Sequence, residues 1–161
     1  RRGVGGTARD GLGPAEELAV WTSPPSPEVW KAVMSRVHPT KVYIFFADSE
    51  ANGVEDFLKR LAGLLKFAMQ AEGEGVSLSR LAGAIAHREE TVRLGLEWLA
   101  EKGLFEVIWT SSQDFLVKPG HPSSGQALLE IENRLVSLLE ETRAYQRFLQ
   151  KASLQRLQES I

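Results

Sequence analysis

VSLSRLAGAIAHREETVRLGLEWLAEKGLFEVIWTSSQDFLVK, residues Val76–Lys118, passes from the three-and-four apolar spacing of helices to the alternation of strands. Ser77 has the side chain of a helix N-cap, and Leu78, Leu81, Ala82 and Ile85 then fall on one helical face. A turn at His87 and Arg88 leads into a second helix with Val92, Leu96 and Leu99 inward. Lys102 and Gly103 close it, a cation beside the last carbonyls followed by a residue able to turn left-handed. Phe105–Trp109 and Asp114–Lys118 alternate around the polar turn Thr110–Gln113, as the arms of a hairpin do. Two short helices followed by a hairpin is the order of a winged helix-turn-helix.

That order implies a second helix laid in a DNA groove, presenting Arg88, Glu89, Glu90, Arg93 and Glu97. The charges oppose it. Residues 76–118 hold five Lys and Arg against six Asp and Glu, whereas gripping a phosphate backbone needs a surplus of cations to displace counterions. Glutamate can accept from cytosine, but three carboxylates on one reading face would sit close to phosphates. A protein-facing or structural module is therefore expected ahead of a sequence-specific duplex reader, since one fold hosts unrelated functions. For weak contact with single strands the candidates are Arg80, Arg88, Arg93, Lys102, Trp109 and Lys118, the indole offering a stacking face. Tryptophan at this position is more often part of a hairpin core.

Toward the N-terminus, Glu17–Thr22 (ELAVWT) is an apolar run stopped by Pro24, Pro25 and Pro27, which fits a buried strand. Ser26 and Pro27 start a helix with Val29, Trp30, Val33 and Val37 on one face, and Pro39 ends it near His38. Lys41–Ala47 (KVYIFFA) has the β-branched and aromatic content of a strand covered on both faces. Strand, helix and strand at this spacing form a βαβ unit. Two parallel strands are not a stable sheet alone, so helices must cover them or further strands must join them. Val54–Gln70, amphipathic through Phe57, Leu58, Leu61, Leu64, Leu65, Ala68 and Met69, is expected to pack on that sheet, with Glu72–Gly75 as a turn.

Toward the C-terminus, no proline occurs from Ser124 to Ile161 and no glycine after Gly125, so one or two long helices are expected. Leu128, Ile131, Leu135, Leu138, Thr142, Tyr145, Leu149 and Ala152 form a heptad-like seam that slips at Leu154, Leu157 and Ile161. The seam permits a dimer, and equally a helix laid across its own domain. The expected architecture is α+β: a flexible linker or tail at 1–15, rich in glycine, a βαβ lobe with a packing helix at 16–72, a winged helix-turn-helix at 73–120, and a long amphipathic helix or helices at 121–161. A glycine-rich opening that starts at Arg1 suggests a segment of a longer protein.

Composition narrows the chemistry. The 161 residues carry a net charge of -2 with 43% hydrophobic and 25% charged residues, which fits a globular domain and not a basic nucleic-acid clamp. Without cysteine, disulfides, thiolate metal sites and cysteine nucleophiles are excluded, and a cytoplasmic setting is expected. No apolar run approaches the ~20 residues of a membrane span. His38, His87 and His121 lack metal-ligand spacing, no phosphate loop accompanies the βαβ unit, and Ser23 has no nucleophile-elbow context. Asp48 and Glu50, at the end of the second strand, have no neighbouring base or ligands and read as solvated loop charges. No catalytic, cofactor-binding or metal-binding residue is assigned.

LAVWTSPPSPEVW (18–30), KVYIFF (41–46), DFLKRLAGLLKFAM (56–69) and SLSRLAGAIAHREETVRLGLEWLAEKG (77–103), taken in this order, resemble the C-terminal region of bacterial RecJ-type single-stranded-DNA-specific exonucleases. FLKRLAGLLKFA and ETVRLGLEWLAEKG carry most of the resemblance, which covers about Leu18–Val117. Enzymes of that family cleave from 5′ ends with manganese or magnesium held by an Asp-His-His motif in an N-terminal core. Asp-His-His is absent here, so no catalytic or metal-binding residue carries over and no cofactor is expected in this chain. The resemblance implies a non-catalytic accessory domain in DNA repair and recombination. It would dock the nuclease core, a single-strand-binding protein or a helicase, or help to hold single-stranded DNA. The other expectation is a stand-alone winged-helix transcriptional regulator, dimerised through the long helix.

Overall fold

A computed structural model of the chain describes residues 9–45, 53–70 and 75–151. Asp48, Glu50, the end of the expected second strand, most of the expected turn at Glu72–Gly75, residues 1–8 and the seam from Ala152 onward lie outside the described residues. The chain is mixed α and β, with five α-helices and two small sheets among the described residues, and it closes with a long C-terminal helix.

The N-terminal strand β1 (Glu17–Val20) pairs in parallel with β2 (Lys41–Ile44), Leu18 opposite Val42 and Val20 opposite Ile44, and α1 (Pro27–Val37) joins them. Ser26 caps α1 in extended backbone, its Oγ accepting from the Val29 amide at 3.3 Å, and Pro27 takes the position where a missing N–H is harmless. His38 stops the helix in a left-handed conformation, its amide donating to the Met34 carbonyl. Strand β2 is not covered on both faces as its composition suggests. Its residues alternate between half-buried and exposed, because among the described residues the strand belongs to a two-stranded sheet with one open side. Trp21 and Phe45 stack on each other beyond the paired residues, 4.6 Å between ring centres and roughly half exposed, with Tyr43 open nearby. Of the glycine-rich opening, the described part holds a short turn at Arg9–Gly11. There the Arg9 guanidinium donates to the His87 carbonyl at 3.1 Å, and Ala15 donates to Val37.

Helix α2 (Val54–Gln70) has the amphipathic spacing expected of it, but its buried face, Phe57, Leu58, Leu61 and Leu65, does not rest on the parallel pair. It enters the main core with α3 (Leu78–Ala84), α4 (Glu89–Glu101), the hairpin strands β4 (Phe105–Trp109) and β5 (Asp114–Pro119), and α5 (Leu128–Lys151). A two-residue strand, β3 (Val76–Ser77), pairs with β5, so the antiparallel sheet runs β3, β5, β4. This strand was hidden in the sequence because it is too short to show alternation.

The close approach of α2 and α4 depends on Gly95. A Cβ at that position would lie 2.6 Å from Leu61 Cδ2 and 2.8 Å from Phe57 Cε1. Two helix ends then set the turns. After α4, Gly103 at φ 73° lets its own amide reach the Ala100 carbonyl and that of Leu104 reach Leu99. After α3 the same double bond forms around Ala86, at φ 55°, with the His87 amide donating to Ala82. That turn delivers His87 and Arg88 to the start of α4.

The heptad-like seam of α5 faces its own chain. Ile131, Leu135, Leu139, Thr142, Gln146 and Leu149 are buried, a set that drifts by one position from the expected Leu138 and Tyr145.

Candidate functional site

Helix α4 has one side in the core, with Val92, Leu94, Leu96 and Leu99 all buried, and one side outward. On the outward side Glu90 and Glu97 are exposed, with Glu89 and Arg93 partly covered. The β4–β5 turn rises beside them and is tightly tied. Ser111 Oγ accepts from the Asp114 and Gln113 amides and donates to the Asp114 carboxylate, while Thr110 and Ser111 donate backbone bonds to the Asp114 carbonyl.

The turn and the helix are cross-linked by polar contacts. Arg93 lies over the Trp109 ring at 4.2 Å and donates to the Ser112 carbonyl at 2.8 Å, and Gln113 Nε2 donates to the Glu89 carboxylate at 3.2 Å. Trp109 also leans on the buried Phe115, 5.0 Å between centres, while keeping 37% of its surface open. It serves at once as a hairpin contact and as the seat of a guanidinium.

The other candidate cations do not converge. Arg88, at the N-cap position of α4, points to α5, where its guanidinium donates to the Glu141 carboxylate at 2.8 Å and the Leu138 carbonyl at 3.3 Å. Lys102 sits at the far end of the same helix, 5.7 Å over Trp98. Thirteen residues of helix separate the two, a distance of about 20 Å at ~1.5 Å per residue. Arg80 is exposed on α3, and Lys118 is exposed on β5 opposite Glu106. The structure thus brings Arg93 and Trp109 together and leaves the remaining four apart, at the two ends of α4, on α3 and on β5.

A second feature escaped the sequence. Between α2, the α3–α4 turn and α5 lies a cavity of about 320 Å³, lined among others by Arg60, His87, Thr142, Arg143 and Gln146. His87 packs edge-on against Phe57 at 5.0 Å. Burial, with the charges of Arg60, Arg88 and Arg9 adding to it, pushes its imidazole down to about 4. They come from three separate stretches of the chain, around residues 60, 87 and 142–146, and share no motif, so only the fold assembles them.

Among the described residues no group of three or more His, Cys, Asp or Glu is placed to hold a metal ion, and no helix is long and apolar enough to cross a membrane. Comparison with protein-family models, with curated proteins and with solved structures finds no match.

Proposed function

We propose that residues 73–120, with α2 packed against them, form a winged helix-turn-helix whose recognition-position helix, α4, faces protein. The chain would then be a non-catalytic accessory domain of a RecJ-like single-stranded-DNA exonuclease, docking partner proteins in DNA repair and recombination. One observation carries the first part: on the outward face of α4 the carboxylates of Glu90 and Glu97 stand open, while Arg93 is held by Trp109 and Ser112. A helix meant for a groove needs the reverse, with cations free to reach phosphates. Helices α2, α3 and α4 with a sheet ordered β3, β5, β4 support the winged-helix reading. The nuclease connection rests on the resemblance over Leu18–Val117, and the proposed cytoplasmic setting on the absence of cysteine. Among the described residues the open edges of the parallel pair and the exposed Trp21, Tyr43 and Phe45 beside it support a docking role, because stable monomers rarely leave such surface uncovered. Arg80, Lys102 and Lys118 remain as the residues that would assist in holding single-stranded DNA.

The test is titration of the chain against a purified RecJ-type nuclease core, a single-strand-binding protein and a helicase. Saturable binding to one of them is expected, weakened about tenfold or more by Glu90→Lys combined with Glu97→Lys. Both substitutions are at exposed positions and should leave thermal stability nearly unchanged. Absence of binding to all three would sink the reading.

A further inference from the structure

The parallel pair leaves backbone hydrogen-bonding groups open along β2. The Lys41 amide donates to the Glu16 carbonyl at 3.0 Å and the Phe45 amide to the Val20 carbonyl at 2.8 Å. Backbone direction alternates along a strand, so Tyr43 also turns its N–H and C=O toward β1, while Val42 and Ile44 turn theirs outward. Among the described residues no further strand takes them up. Strand β1 is the more enclosed of the two: Leu18 is buried, and the Ser23 carbonyl just beyond the strand accepts from Gln146 of α5. No residue of β2 is buried.

Exposed strand edges are ordinarily blunted by a proline, a bulge or an inward-pointing charge. From Val42 to Phe45 the strand has none of these. Lys41 at its start is drawn to Glu17 on its own neighbour, at 3.7 Å. The open face beside the edge is aromatic, with Tyr43 and Phe45 exposed and Trp21 stacked on Phe45. A two-stranded sheet is marginal by itself and gains from further strands.

We propose that a second copy of this chain takes up the β2 edge, the two β2 strands pairing antiparallel about a two-fold axis at Tyr43 to make one continuous sheet. A two-fold axis of this kind keeps both open faces on the same side. Val42 then lies opposite Ile44 of the second copy, and these outward-facing residues exchange both of their hydrogen bonds. Tyr43 meets Tyr43 of the second copy at the non-hydrogen-bonded position, where side chains come closest. Lys41 comes opposite Phe45, a cation beside an aromatic ring, and no like charges are opposed. Centring the pair on Val42 instead would set Ile44 against Thr40, whose amide is already given to the Glu16 carbonyl. Strands of four residues bury little area, so the association is weak, with a Kd of roughly 10–100 µM. The α4 face takes no part in this contact, so it stands or falls independently of the docking role.

Sedimentation of the full chain between about 5 and 500 µM tests it, and the parent is expected to pass from monomer to dimer over that range. Tyr43→Lys and Tyr43→Glu should each weaken the dimer about tenfold or more, because like charges directly opposite each other repel. An equimolar mixture of the two variants should associate again, which chains with a damaged fold would not do. Cysteine cross-linking reads the register, since the chain has no cysteine of its own. Under mild oxidation Tyr43→Cys should give a disulfide-linked dimer, its paired Cα atoms standing about 4.5 Å apart. Lys41→Cys should not, because the two copies of that position lie about 13 Å apart at ~3.3 Å per residue. A parent chain that stays monomeric to roughly 500 µM would overturn the proposal. So would a dimer indifferent to Tyr43→Lys, a mixture of the charged variants that fails to associate, or cross-linking of Lys41→Cys equal to that of Tyr43→Cys.

Discussion

His87 links a left-handed turn, a cavity and a cluster of arginines. Its imidazole, ordinarily near 6.5, is pushed down to about 4 by burial and then by the like charges of Arg60, Arg88 and Arg9. Arg143 and Asp56 line the same cavity. The folded chain therefore keeps His87 neutral between those two values, while the unfolded chain binds the proton there. Stability from this residue is complete above about pH 6.5 and falls as the pH drops toward 4. Melting temperatures measured across that window should decline less in His87→Gln than in the parent chain, and parallel curves would show that another group dominates. None of this was visible in the sequence, where His87 reads only as a turn residue. Ser77 and Ser26 were legible as caps because a cap is a local pattern, a hydroxyl three residues before a free amide.

At the scale of elements, the packing of α2 on α4 rests on the absence of a side chain at Gly95. Alanine there gains helix propensity worth about 1 kcal/mol, but its Cβ meets Leu61 and Phe57 at under 3 Å in a filled core. Overpacking of this kind costs roughly 1–3 kcal/mol, so Gly95→Ala should lower the denaturant midpoint without changing the slope of the transition. Adding Leu61→Val should recover part of the loss, because the two positions touch and their effects are not additive. A gain in stability for Gly95→Ala would contradict this packing. Helix periodicity located α2 and α4 well, since each buries one apolar stripe. It could not say which surface the stripe of α2 would meet. The parallel pair nearby in sequence looked like the partner, yet α4, α5 and β5 offer a larger apolar surface. Likewise β2 was expected to be covered on both faces from its composition, and Tyr43 and Phe45 are open because no third strand or helix reaches that side among the described residues.

For the molecule as a whole, the spacing along α5 was compatible with a dimer seam and with a helix across its own core. Burial of Ile131, Leu135, Leu139 and Leu149 inside a single chain favours the second. The predicted seam is thus spent within the chain, while Leu129, Val136 and Phe148 of α5 stay exposed, and the acidic face of α4 is the feature that separates a DNA reader from a docking module. Charge decides between them, since duplex binding by neutralised phosphates weakens steeply as salt rises. The direct measurement is the affinity of the chain for a labelled duplex between about 50 and 200 mM salt, alongside a variant carrying Glu89→Gln, Glu90→Gln and Glu97→Gln. The protein-facing account predicts no measurable duplex binding by the parent chain even at low salt, and its appearance only once the carboxylates are neutralised. Tight binding by the parent chain, falling steeply with added salt and lost in Arg93→Ala, would contradict it.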